Sequence, residues 1–439
     1  MTKHIIFLVL YSSFYNVFSS EILMMLLILH CSIGLIDSVR NKELSLIAVY
    51  YATVLLTSFS NILLLNKVGT NENTIYTYIA PAFIPLSAFI WCIGNSFIFI
   101  GYELVVKKSF TKINVELNKK YLKHIFFIVL GLNLLGLTGN ELNFSFLGGG
   151  GAKIITLLCL ISIMIFARLW KKENNNTYRM YAIILCVTQT FLALKTSYLR
   201  SNIILPSLSI FGGYFLGLGS LRYLFTYRVI PFLAIFLAFS LIFKSLANNR
   251  EHFIDAVTGN LPVDASTQEE INQHDKEKGG LLDRMSNLAQ ISNCVKLVNL
   301  NGFYLGTASA PLITALVPRV LWKDKPQIRL GVWFALEIGA AYVDLDGHPN
   351  NSINMTIPGE LYLDFGWPGV ILGCFGLGLL LAMFWNAASF DGSAYNITGT
   401  MWGGYMLLTA VQNFTDLQIV ITFFSTYMSF YIIKKIFRK

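Results

Sequence analysis

The sequence predicts an all-α polytopic membrane protein, with about twelve transmembrane helices and one large extramembrane loop between the ninth and the tenth. Three observations carry that expectation. Hydrophobic residues make up 55% of the 439 positions and charged ones only 13%, outside the range of soluble globular chains. Apolar runs recur along the chain, most of them long enough to cross a bilayer. The basic residues fall on alternate connections between those runs, as the positive-inside bias requires.

The runs lie at 4–18, 22–36, 44–65, 79–105, 122–137, 153–170, 180–195, 201–219, 229–246, 366–388, 397–413 and 416–433. The first is preceded by Lys3 and followed by no small-residue cleavage site, so it reads as a retained helix. With both termini cytoplasmic, the inner segments hold nineteen of the thirty-three Lys and Arg residues. These are Lys3, Arg40, Lys42, the six between Lys107 and Lys123, Arg168, Lys171, Lys172, Arg179, Arg222, Arg228 and the four from Lys434 to Lys439. The short outer connections hold four, Lys67, Lys153, Lys195 and Arg200. The formal charge of +9 therefore reports orientation and does not call for a nucleic-acid partner. The chain divides into an N-terminal bundle (1–246), an outer loop (247–365) and C-terminal helices (366–439). Five of the six cysteines lie in apolar runs and the six histidines are scattered, so neither a disulfide framework nor a metal site is expected. No cofactor is expected either.

The outer loop segregates its charge. Eight acids stand against Lys276 and Lys278 between Glu251 and Asp283; six basic residues stand against Asp324 between Arg284 and Arg329. Five acids and no base follow between Leu330 and Phe365. A basic centre beside carboxylates suits binding an anion and handling protons next to it; it also fits a solvated loop with clustered charges.

Four stretches carry candidate chemistry. In "LLDRMSNLAQISNCVKLV" (281–298), helical phase puts Leu281, Met285, Leu288, Ile291, Val295 and Val298 on one apolar stripe, with Gln290 and Asn293 opposite. Arg284 falls within that stripe, which is costly unless it is paired or binds a ligand. In "PRVLWKDKP" (318–326), Arg319, Trp322 and Lys325 sit on a turn stiffened by two prolines. A preceding apolar piece, 300–316, reads as a re-entrant or interfacial hairpin that delivers them to the outer headgroup level. There the Arg319 fork and the Lys325 ammonium suit phosphate oxygens, or they touch lipid headgroups. Lys195 and Arg200 on an outer connection either meet an anionic ligand or snorkel to the interface. In "PGELYLDFGWPG" (358–369), Glu360 and Asp364 are four apart and share a helical face, at the outer mouth ahead of an apolar span. Either can act as a general base or neutralise Arg319 or Lys325. His348 is a third candidate base. "LGGGGAK" (147–153) lacks the strand and the ending of a phosphate loop and reads as a flexible outer turn.

The order Arg284, then Pro318, Arg319, Trp322, Lys325 and Pro326, then Gly359, Glu360, Phe365 and Gly366 resembles the Wzy-type polymerases of O-antigen and related bacterial exopolysaccharides. The resemblance implies a multi-pass protein of the bacterial inner membrane with a large periplasmic loop, similar to metal-independent membrane glycosyltransferases. It implies joining of undecaprenyl-pyrophosphate-linked oligosaccharide repeat units, with Arg284, Arg319 and Lys325 on the departing pyrophosphate and Glu360, Asp364 or His348 taking the acceptor proton. Direct displacement would invert the anomeric centre. Membrane lipid is a partner, and a chain-length regulator protein is a further one that the resemblance leaves open. An O-antigen ligase differs only in acceptor. A transporter of lipid-linked oligosaccharide is the rival from another class, though no matched pair of broken helices marks inverted repeats.

Overall fold

The computed structural model describes residues 1–15, 17, 19–40, 45–67, 80–106, 119–138, 148–196, 200–218, 286–309, 330–340 and 353–387. Among them the structure is helical, without a strand. In order these helices are α1 (Thr2–Phe14), α2 (Ser20–Arg40), α3 (Leu46–Lys67), α4 (Ile84–Val106, entered through a 3₁₀ turn Pro81–Phe83), α5 (Lys119–Thr138) and α6 (Gly148–Glu173). Then come α7 (Asn176–Thr196), α8 (Arg200–Leu218), α9 (Leu288–Asn301), α10 (Leu330–Glu337), α11 (Ile357–Pro368) and, after a π-helical turn Gly369–Gly373, α12 (Cys374–Ala387). Four stretches, 20–40, 46–66, 81–105 and 357–387, are long and apolar enough to cross a membrane. Helices satisfy every backbone polar group internally, which is what a lipid environment demands.

The expected spans at 229–246, 397–413 and 416–433 lie outside the described residues. Three expectations need correction. The Gly148–Gly151 run, expected as a turn, opens α6. Arg168, expected on an inner connection, lies inside α6 and is buried. Asn293, expected on the polar side of its helix, is buried in α9 and its side-chain amide donates to the Ala289 carbonyl at 2.8 Å.

Helix α4 is the hub. Its residues share one core with α1, α2, α3, α9, α11 and α12. A second core joins α5, α6 and α7 around Phe126, Phe166 and Leu185, and Leu160, Met164 and Leu205 connect α6 and α8 to the first. Two glycines set the distance between α4 and α12. A Cβ on Gly101 would come within 2.2 Å of the Phe375 carbonyl oxygen, and one on Gly378 within 2.2 Å of the Ile98 oxygen. Such small-residue contacts let helix backbones touch where lipid supplies no hydrophobic drive for association.

Hydrogen bonds sort the helix ends. Lys3 of α1, Asp37 of α2 and Glu103 of α4 meet at one end. At the other, Asn61 of α3 accepts from the Ser286 hydroxyl and the Asn287 amide, both at 2.8 Å, and the Ala80 amide donates to Ser292 at 3.3 Å. The described piece 286–309 thus begins at the end of the bundle opposite Lys3.

Candidate functional site

The stretch 357–387 is not a straight span. Gly366 has φ +63° and ψ −143°, a conformation that costs glycine little and other residues much. It breaks the helix, and α11 doubles back along the start of the next segment. A Cβ on Gly94 of α4 would meet both Pro358, at 2.7 Å, and Cys374, at 3.3 Å. Leu361 likewise faces Gly369 and Gly373. The remaining piece from Trp367 onward is about 30 Å long at 1.5 Å per residue, enough for one crossing. Thr356 caps α11 by accepting from the Gly359 amide at 3.1 Å, with Pro358 in the first turn, a combination that fixes where the helix starts.

This fold-back buries both carboxylates. Glu360 is 1% exposed and Asp364 fully buried, so they lie inside the packed bundle and not at an open mouth. Asp364 is spoken for. Its Oδ1 accepts from the Gly306 and Ala308 amides at 3.1 and 3.2 Å; its Oδ2 accepts from the Ser309 amide at 3.0 Å and from the Ser309 hydroxyl. Its backbone is engaged too: the Tyr304 amide donates to the Leu363 carbonyl and the Leu305 amide to that of Asp364. Left-handed φ at Gly302, Leu305 and Gly306 curls the turn so that its amides converge on one anion. The Leu305 conformation costs about 1 kcal/mol in a non-glycine residue and is held by its 2.9 Å bond to the Asp364 carbonyl.

Glu360 sits one helical turn earlier, in the first turn of α11, where the helix dipole favours a negative charge. The Ser309 hydroxyl lies 3.3 Å from its Oε1, so one hydroxyl stands between the two carboxylates. The Cys294 thiol faces them from α9: burial, with Glu360 and Asp364 nearby, holds it well above its ordinary range and keeps it an unreactive thiol.

A small core around Cys294, Leu297, Ala308, Leu330, Phe334, Met355 and Leu363 backs the site. It gathers Ala308, just before residue 310, and Leu330, just after residue 329, into one cluster with Leu363 of α11. The Ile353 amide donates to the Gly331 carbonyl at 2.9 Å, tying α10 to the approach of α11. The described flank before the basic stretch is thus bonded to the carboxylates, and the flank after it joins the same small core.

Of the sequence-predicted site residues, the structure brings Glu360 and Asp364 together on one buried face. Arg284, Arg319, Trp322, Lys325 and His348 lie outside the described residues. Lys195 lies in the last turn of α7 and Arg200 opens α8, close in sequence at one helix–helix connection. The apolar stripe expected on 281–298 is seen for Leu288, Ile291 and Val295, which are buried, while Lys296 is exposed. Residues 302–309, expected to begin a membrane hairpin, form a turn around Asp364. Sequence reasoning missed Ser309; its signal was the Gly-Thr-Ala-Ser run that follows Gly302, glycine and small residues suited to a curled backbone. Among the described residues, no three His, Cys, Asp or Glu side chains are placed to hold a metal ion. Comparison with known family models, curated proteins and solved structures finds no match for this chain.

Proposed function

We propose that the chain is a membrane glycosyltransferase that joins undecaprenyl-pyrophosphate-linked oligosaccharide repeat units into a surface polysaccharide. In this reading it works at the periplasmic face of the bacterial inner membrane, with both termini cytoplasmic. One observation supports it above the rest: of the flanks of the basic stretch, Ala308 and Ser309 are bonded to Asp364 and Glu360 of α11, and Leu330 shares a small core with Leu363. Arg319 and Lys325 belong to that stretch, and Arg284 precedes α9. A phosphate-binding set would then share its frame with a buried carboxylate.

Each group has a task. Arg284, Arg319 and Lys325 stabilise the negative charge that develops on the departing pyrophosphate. Glu360 accepts the proton of the attacking sugar hydroxyl, with His348 as the other base available. Asp364, with its oxygens occupied by the turn, positions the 304–309 backbone. Attack and departure on opposite faces of the anomeric carbon invert it.

Deleting the gene and resolving the surface polysaccharide on a gel tests the reading. Lipid capped with a single repeat is the expected result. Loss of all capped lipid with lipid-linked polymer still made would point to a ligase instead, and loss of export would point to a transporter.

A further inference from the structure

At the Lys3 end of the bundle a second polar cluster is buried, and the reaction above does not use it. His4 of α1 and His30 of α2 are both fully buried. His4 Nδ1 lies 2.6 Å from His30 Nε2, His4 Nε2 lies 2.8 Å from Glu103 Oε1, and His30 Nδ1 lies 3.2 Å from the Tyr11 hydroxyl. Phe7 stacks on His30 at 4.3 Å and Phe99 packs on both rings. The result is an unbroken hydrogen-bonded line in an apolar sleeve, from Glu103, a quarter exposed, to Tyr11, fully buried.

Only one arrangement of protons satisfies this line when both rings are neutral and Glu103 is ionised. Tyr11 donates to His30 Nδ1, His30 donates from Nε2 to His4 Nδ1, and His4 donates from Nε2 to Glu103. One added proton leaves a consistent line on either ring, and the Glu103 carboxylate, 2.8 Å from His4 Nε2, favours His4. His4 then donates from both nitrogens, to Glu103 and to His30 Nε2; His30 moves its own proton to Nδ1 and donates to the Tyr11 oxygen, whose O–H turns away. A second added proton sets N–H against N–H between the rings and breaks the line.

The charged neighbours balance one another. Lys3 reaches Asp37 at 2.7 Å and Glu103 at 3.3 Å, and the Met1 amino group also meets Glu103. Two cations thus face two carboxylates, so the cluster is neutral before the histidines are counted. The other titratable groups against it are Tyr51, whose hydroxyl is 3.4 Å from His4 Nε2, and Tyr102, Cys31 and Cys92. Buried ionisable chains of this kind within membrane helices are the usual parts of proton relays.

We propose that Glu103, His4, His30 and Tyr11 form a proton-binding site that takes up one proton, and no more, from water at the Lys3 end of the bundle. The proton is held on His4 against Glu103, and its arrival switches the tautomer of His30. This stands independently of the glycosyltransferase reading, since the site is built on other helix ends.

The test uses the full chain in lipid nanodiscs, with nitrogen-15 histidine, His4→Asn and His30→Asn variants for assignment, and the exposed His124 as reference. Spectra taken from about pH 8 to about pH 4 report each ring's tautomer and charge. At the upper pH both rings should carry their proton on Nε2. On acidification one proton should be taken up by the pair, with His4 becoming imidazolium while His30 moves its proton to Nδ1. Either ring in the Nδ1–H form at the upper pH, two imidazolium rings at the lower pH, or no uptake at all would each overturn the proposal. Either variant identifies its own ring and the 2.6 Å contact identifies the partner ring, so one variant that fails to fold leaves the test intact.

Discussion

The bundle holds acidic side chains at both ends, and the two ends partner them differently. At the Lys3 end, Glu103 is met by other side chains: Lys3, His4 and the Met1 amine. At the α11 end, Asp364 is met by backbone amides and one hydroxyl of a single turn. Side-chain partners titrate and swing, so a site built from them can gain or lose a proton. Backbone amides do neither, so a carboxylate held by them becomes a fixed part of the frame. The contrast assigns change to the first end and rigidity to the second, with Glu360 the buried acid beside the rigid frame to which the proposed reaction gives the proton transfer.

The largest effect is expected where the frame loses its anion. Asp364→Ala leaves the amides of Gly306, Ala308 and Ser309 buried without their acceptor, at a cost on the order of 3 kcal/mol or more. Thermal unfolding of the detergent-extracted protein should show a large loss of stability, and the turn should become open to proteolysis. Asp364→Asn should be nearly as damaging, because its amide group turns a donor toward donors. A wild-type melting profile for either variant would leave the backbone nest without structural weight.

A middling effect is expected where α4 joins α12. Gly101→Ala forces its new carbon against the Phe375 carbonyl, whereas Gly376 faces open space. The first should cost about 1–3 kcal/mol through overpacking; the second should be neutral or gain up to about 1 kcal/mol from helix propensity. Equal melting shifts for the two would contradict the close approach that lets one helix serve both ends.

The smallest effect belongs to the rim of the Lys3 end. Asp37 is about half exposed in its pair with Lys3. Asp37→Asn should change stability by no more than about 0.5 kcal/mol, while leaving the His4–His30 contact in place. A large loss would mean that the inner line depends on its rim.

How much of the molecule is legible in its sequence follows the range of each interaction. The i, i+4 spacing of Glu360 and Asp364 alone puts them on one face, because helical phase is local. The phase of Leu288, Ile291 and Val295 is legible for the same reason. The expected span begins at Gly366, where the helix breaks, but the fold-back of α11 along that span is not legible. Only the contacts of Pro358 and Cys374 with the same glycine of α4 reveal the fold-back. The turn around Asp364 joins residues more than fifty positions apart, and no periodicity encodes that. The histidines are scattered along the chain, yet His4 and His30 meet because α1 and α2 pack antiparallel. The Gly148–Gly151 run is helix where glycine argues for a turn.

The central claim is that Glu360 acts chemically within a frame that Asp364 only holds. It is tested most directly by polymer formed per molecule of folded, membrane-extracted Glu360→Gln protein, a change that keeps the shape and removes the proton acceptor. The account predicts a loss of about a hundredfold, or about 3 kcal/mol of transition-state stabilisation, with the melting profile close to wild type. Polymer made at the wild-type rate per molecule would contradict it.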